Sequence, residues 1–200
     1  MNLPSLLLLP LLLLAPPRAS SDVRVLYHAV ARGSGLPENV FAAAIRRAER
    51  EGPLPEVLAI ANMRQPANEE RLYVFHLKDR RLLMRTLVAH GQGSGDVRCE
   101  RVSNRSGSRC TCAGLLRVGD RVQSPRHGDA LLLHGLDPGV NDRALEREII
   151  IHGADYVGHD FIRTEGRLGR SWGCPAVAPE AMARILRMLP TGSLLYIQAP

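Results

Sequence analysis

The stretch LPENVFAAAIRRAEREG places Val40, Phe41, Ala44, Ile45 and Ala48 on one apolar stripe at helical spacing, and Gly52 with Pro53 ends the pattern. It predicts one amphipathic helix docked on a larger body. A short polar segment with Pro66 follows. In RLYVFHLKDRRLLMRTLVAHG two apolar-rich runs, Leu72 to Leu77 and Arg81 to Ala89, flank a turn near Lys78 to Arg80 and read as a β-hairpin. From residue 91 to 114 Gly, Ser, Asn and Arg dominate and no apolar period survives. A stretch of that length is too long for a plain connector; such loops are functional or disordered. Strand patterns return in GLLRV, DALLLHGL and REIIIHGADYV, separated by turn clusters such as DPGVND. Then APEAMARILRMLPTG sets Met182, Ile185, Leu186 and Leu189 on one helix face, with Pro179 in the first turn and Gly192 beyond the end. SLLYIQ closes the pattern as a last strand. Many short strands, few helices and no internal repeat predict a mainly β fold, a sandwich or partial barrel with peripheral helices.

A chain of 200 residues holds one domain with a full core. Its 45% hydrophobic and 23% charged content excludes a disordered chain and a multi-span membrane protein. The first residues, MNLPSLLLLPLLLLAPPRASSD, carry a leucine-rich run from Leu6 to Leu14 followed by small residues and prolines, the layout of a secretory leader. The run is too short to cross a bilayer comfortably. No Lys or Arg precedes it, and Arg18 interrupts the small-residue cleavage site near Ala19 and Ser20. The expected organisation is a leader over 1–20, a helical segment over 21–66 and a main domain over 67–200. Export to a periplasm or cell envelope follows, with membrane contact only through a leader left uncleaved.

The formal charge of +6 favours contact with anionic polymers. The arginines are scattered, with no stripe of Arg and aromatics, so no nucleic-acid partner is expected. Four cysteines in an exported chain raise disulfides. If Cys174 is a working thiol, Cys99, Cys110 and Cys112 remain, and three cannot all pair within one chain. A link from Cys99 to Cys110 or Cys112 would staple the loop CERVSNRSGSRCTC, and the connectivity stays open.

Two short pieces carry candidate chemistry. In EIIIHGADYV an apolar strand run stops at His152-Gly153, which sets an imidazole at the end of a rigid element. In GRLGRSWGCPAV the only tryptophan and a cysteine share a glycine corner that Pro175 terminates. A thiol is mostly protonated at neutral pH, and a nearby imidazole lowers its pKa or takes its proton during attack. Cys174 as nucleophile with His152 as base is therefore the minimum machinery for acyl transfer. Backbone N–H groups of Gly173 and Cys174 could meet a developing oxyanion, Ser171 could orient the turn or hydrogen-bond the substrate, and Trp172 could wall the cleft or cap the core. Each residue alone has a plainer reading: a histidine ending a strand is commonly structural, and a cysteine before proline commonly inert. The pair also resembles half a zinc site with His134 or His159. No close-spaced ligand pair accompanies it, so no metal and no cofactor are expected.

From about residue 70 to 177 the runs RLYVFHLKDRRLLMRTLVAHGQGSG, VSNRSGS, LHGLDPGVNDRALEREIIIHGADYV and GRLGRSWGCPAV, in that order, resemble the murein L,D-transpeptidase catalytic-domain family. The resemblance implies an exported cell-wall enzyme of mainly β fold, needing no metal. It implies attack by a cysteine on the carbonyl after the diamino acid of a tetrapeptide stem, release of D-alanine, and transfer of the acyl group to an amine on another stem or protein. The family's histidine falls on His152, and its Ser-x-Gly-Cys on Ser171, Gly173 and Cys174. Where the widest branch has His before Gly-Cys and Arg or Asn after it, this chain has Trp172, Pro175 and Ala176. Transfer to water, as in an L,D-carboxypeptidase, and a wall-binding module without turnover remain open. Cys110 and Cys112 stand where serines are expected, with no physical account beyond a staple to Cys99. His90, Ser103 and Asn104, with Ser106 and Ser108, lie in matching stretches and either line the cleft or bond their own turns. Asn141-Asp142 reads as turn chemistry. Tyr156 and Arg170 are within sequence reach of the pair, and Arg170 could hold a substrate carboxylate in a two-pronged grip.

Overall fold

A computed structural model describes residues 19–200. The expected leader over 1–20 lies outside the described residues apart from Ala19 and Ser20, which open the first helix, α1 (Ala19–Val30). There follow α2 (Glu38–Glu49), β1 (Val57–Asn62), β2 (Leu72–His76), β3 (Arg81–Thr86), β4 (Gly114–Ser124) and β5 (Gly128–Gly135). Then come β6 (Ile150–Gly153), α3 (His159–Glu165), β7 (Ala176–Val177), α4 (Pro179–Met188) and β8 (Leu194–Gln198). No described helix is long and apolar enough to cross a membrane.

All eight strands among the described residues form one sheet in the order β3-β2-β1-β8-β4-β5-β6-β7. Pairing is antiparallel except for β1 with β8 and β6 with β7. The chain leaving β3 bends round to the far edge, where Ala89 bridges Ala176 of β7. That bridge joins the two ends of the strand order and makes the sheet a nearly closed barrel, resolving the choice between sandwich and barrel.

Period-two alternation decides which side each strand fills. Ala59 and Ala61 of β1, Val74 of β2, Leu116 and Val118 of β4, Leu131 and Leu133 of β5, Ile151 of β6 and Leu195 of β8 meet in the interior core. α4 adds Ala181, Met182 and Ile185 to it. The opposite faces of the first strands, Leu58 and Ile60 with Tyr73 and Phe75, take Phe41, Ala44 and Ile45 of α2 and Val23 and Val30 of α1. Phe41 meets Phe75 edge to face, 5.7 Å between ring centroids. Burying each such side chain stabilises the fold by roughly 1.5–3 kcal/mol. A smaller outer cluster of Leu87, Ala89, Ala154, Val157, Leu168 and Ala176 lies beside the barrel closure.

One sequence reading needs correcting. The boundary drawn between residues 66 and 67 falls between two paired strands: β1, buried along its whole length, sits mid-sheet between β2 and β8. Residues 57–62 are therefore central strand rather than part of a helical segment, and α2 packs on that strand while α1 packs on α2 and β3.

Candidate active site

The sheet register brings the two sequence-predicted residues together. His152 on β6 pairs with Ala130 of β5 on one side and with Ala176 of β7 on the other, so the imidazole belongs to a strand two residues from Cys174 in the register. His152 is only 1% exposed. Its Nδ1 stands 2.9 Å from the Gly153 carbonyl, which can only accept, so Nδ1 carries the proton and Nε2 offers a lone pair. The Gly153 carbonyl is the third group that orients the imidazole, and a backbone atom leaves no trace in a residue pattern. Burial holds the His152 pKa down at about 4, the Gly153 bond opposing and His127 assisting. At neutral pH the imidazole is uncharged and free to accept a proton.

Cys174 is a half-buried free thiol. Among the described residues its hydrogen bond runs to the Glu148 carbonyl, 3.7 Å from Sγ, and none joins it to His152. Burial raises its pKa, although the Ile150 backbone and the Arg147 guanidinium favour the thiolate. Sulfur and imidazole are thus both neutral at rest, which of the two routes to an active thiol leaves proton transfer during attack. In unliganded sites such bonds are often unmade and tighten only around substrate.

The turn that presents the thiol is built by Ser171, which is 4% exposed. Its hydroxyl donates to the Cys174 carbonyl at 2.6 Å and accepts from Gly173 N–H at 3.1 Å. Gly173 N–H is therefore spent inside the turn, which removes it from the expected oxyanion pair and leaves Cys174 N–H alone there. Gly173 has φ 129°, a region closed to other residues, and a Cβ on it would stand 2.8 Å from the Cys110 carbonyl oxygen.

The long loop of residues 91–113 wraps this turn. Gln92 N–H donates to the Ser171 carbonyl and Ser171 N–H to that of His90. Arg147 ties the loop from behind, donating to the Ser103 carbonyl at 2.7 Å and to that of Cys110 at 2.6 Å. Sequence reasoning missed Arg147, since an arginine in DRALEREII reads as surface charge. Asn141 exceeds turn chemistry as well, its Nδ2 donating to the Ala113 and Leu115 carbonyls.

Several predicted substrate contacts have other work. His90 is fully buried, with Arg71 Nη2 donating to its Nδ1 at 2.8 Å, so it does not line a cleft. Arg71 itself is fully buried and also donates to the carbonyls of Met63, Gln65 and Val88, with its pKa lowered by burial to about 10. Ser103 Oγ accepts from Arg105 N–H, and Asn104 Nδ2 donates to Asp142 at 2.6 Å; both belong to the loop's own fastening. Arg170 is paired with Asp96 at 3.1 Å and donates to the Gly95 carbonyl, so the predicted carboxylate grip is already occupied from within. Ser106 Oγ donates to Glu146, and Ser108 Oγ accepts from Cys110 N–H. The three other cysteines are buried and unpaired, with no staple between them.

Trp172 and Tyr156 remain at the site. Trp172 is 58% exposed, with the guanidinium groups of Arg109 and Arg126 at 4.7 and 5.2 Å from its ring centroid. Tyr156 is pushed up to about 12 by burial and, less strongly, by Cys174, so its phenol remains a donor. Tyr156, His127 and Gly153 share the wall of a cavity of about 510 Å³ that also meets Met182 and Leu186 of α4.

With that geometry in view, a family model described as the L,D-transpeptidase catalytic domain matches residues 35–198. The chain belongs to that family. The match begins ahead of α2 and includes β1, in agreement with the sheet rather than with a boundary at 66. Comparison with curated proteins finds no match. Among solved structures, the L,D-transpeptidase catalytic domain is similar to an L,D-transpeptidase from Mycobacterium smegmatis, with 16% identity over 72% of this chain and 59% of that one, TM-score 0.45. It is also similar to the helical cell shape determining protein of Campylobacter jejuni, with 14% identity over 72% and 48%, TM-score 0.48. A third, an L,D-transpeptidase from Stackebrandtia nassauensis, shows 12% identity over 89% and 77%, TM-score 0.45. The chain spans about half to three fifths of the length of the first two.

Proposed function

We propose that this domain is a cysteine acyltransferase acting on tetrapeptide stems of peptidoglycan, exported by its leader to a periplasm or cell envelope. The observation that carries the reading is the β6–β7 register, which sets a neutral, carbonyl-anchored imidazole beside the turn presenting Cys174 in a chain of this family. In the proposed reaction the Cys174 side chain turns from the Glu148 carbonyl to the substrate. His152 Nε2 takes the thiol proton as sulfur bonds to the carbonyl carbon after the diamino acid. Cys174 N–H and the Tyr156 phenol are the donors available to the oxyanion. The proton passes to the departing amine, the C–N bond breaks, D-alanine leaves and a thioester remains. An amine, or water, then attacks the thioester. His152 accepts the attacking group's proton and returns it to sulfur as the C–S bond breaks.

Incubation with tetrapeptide-bearing muropeptides tests this by mass spectrometry. Release of D-alanine that Cys174→Ala abolishes is expected; absence of release, or release undiminished in Cys174→Ala, overturns the reading. Dimers among the products indicate transfer to an amine, and trimmed tripeptides hydrolysis. A wall-binding module without turnover is what the Sγ bond to Glu148 favours, and it predicts muropeptide binding with no release at all.

A further inference from the structure

The turn between β4 and β5 reaches over the site. Ser124 pairs with Gly128 at its base, leaving Pro125, Arg126 and His127 at the tip. Two independent contacts dock that tip. Arg126 lies 5.2 Å from the centroid of Trp172. His127 stacks on His152, ring centroids 3.8 Å apart and planes 25° from parallel. His152 is thus held twice: in its plane by the bond from Nδ1 to the Gly153 carbonyl, and across its face by a second imidazole. Neither hold supplies a proton to Nε2.

We propose that His127 is a positioning residue for the acyl-transfer reaction: by stacking on His152 it fixes the plane of the catalytic imidazole and keeps water from that face. The role is one of shape. A flat ring at this place suffices, and its own titration is not needed. The cavity beside His127 is lined by Arg126 on the same tip, Asp129 of β5, Asp155 and Tyr156 beyond β6, and the α4 residues Pro179, Met182, Ala183 and Leu186. Asp129 is taken up by Arg121 at 2.7 Å. His127 is itself exposed, so exchanging it leaves the core intact.

The inference rests on the Cys174–His152 reading of the site, and its test separates the two. Imidazole NMR titration of His152, which needs no substrate, is read in the wild-type protein and in His127→Ala and His127→Phe. Both causes that His127 contributes, cover and a neighbouring positive charge, hold the His152 midpoint down, so His127→Ala moves it up from about 4 toward the ordinary 6.5. His127→Phe keeps the cover and loses only the charge, so it moves the midpoint up by less than His127→Ala does. Acyl-enzyme formation, followed by intact mass, falls in His127→Ala by about tenfold at pH 8 from lost orientation. It falls by about a further tenfold one pH unit below the new midpoint, where a tenth of the base is neutral. His127→Phe restores most of the rate. An unmoved His152 titration in His127→Ala overturns the inference, as does His127→Phe failing as badly as His127→Ala, which would make His127 a proton carrier. If His152 moves as expected but no acyl-enzyme forms even in the wild type, the proposed reaction falls and the stacking assignment stands.

Discussion

At the scale of single residues, the corner that presents the thiol depends on two side-chain choices, one of them the absence of a side chain. Gly173→Ala places a Cβ at φ 129° against the Cys110 carbonyl oxygen, 2.8 Å away. The strain is about 1–3 kcal/mol. The displaced turn is expected to lower D-alanine release about a hundredfold, the cost of moving a reacting atom by about 1 Å. Ser171→Ala removes the bond to the Cys174 carbonyl and orphans Gly173 N–H inside a buried turn. The expected loss is about 1–3 kcal/mol, read as a fall in Tm of roughly 3–10 °C; an unchanged Tm would mean that Ser171 does not hold the turn. The glycine, the serine and the thiol were all legible as a motif, because a cysteine between Gly and Pro cannot sit in a regular element. That Ser171 orients the turn was one of two roles legible for it; only the folded geometry shows that the same hydroxyl satisfies a donor and an acceptor there and so consumes Gly173 N–H.

Among the elements, the loop of residues 91–113 is the one whose work the sequence hides. Its fastenings are backbone carbonyls and amides meeting side chains far along the chain, such as Arg147 with Ser103 and Cys110, and no local pattern records them. Arg147 also supplies the nearest positive charge that favours a Cys174 thiolate, against the burial that disfavours it. Two measurements follow from one variant. In Arg147→Met the Cys174 pKa rises further above its ordinary 9.0, so the pH midpoint for alkylation by iodoacetamide moves upward from a wild-type value that is itself above the ordinary range. The orphaned carbonyls loosen the loop, read as faster amide exchange over residues 91–113. A downward shift of the alkylation midpoint would contradict this electrostatic balance. α2 and α4 were legible from their periodicity, because each has one buried and one open face, whereas the hairpin of β2 and β3 and the last strand β8 were legible as short apolar runs set beside turn residues, β2 and β8 being largely buried. β1 was not. VLAIAN is buried on both faces, so it shows neither a period of two nor one of 3.6, and it reads as nothing in particular.

For the whole molecule, β1 sets how the chain can be divided. A protein beginning at residue 67 lacks the strand between β2 and β8 and the two helices ahead of it, and is expected to be insoluble; one beginning at residue 19 is expected to show the full β-rich circular dichroism spectrum. The barrel also encloses two imidazoles beside its closure, His90 against buried Arg71 and His152 against His127, and both are held near pKa 4 chiefly by burial. Their effect on stability has a definite sign. Above about pH 6.5, their ordinary value, both are neutral in the folded and unfolded chain, and their contribution is complete. As pH falls from there toward 4 the unfolded chain binds protons that the folded chain refuses, so stability declines, by on the order of 3 kcal/mol for each histidine over the whole interval. Below pH 4 both states are protonated and the loss from these two groups levels off. Urea midpoints at pH 7, 6, 5 and 4 measure the decline, and the difference between wild-type and His90→Gln isolates one proton from the background of carboxylates. Glutamine keeps an acceptor for Arg71 and cannot titrate, so its curve is expected to be shallower between pH 6.5 and 4 and parallel to the wild type above pH 7. Parallel curves throughout would mean that His90 is as easily protonated in the folded barrel as in water, and that Arg71 does not shut a proton out.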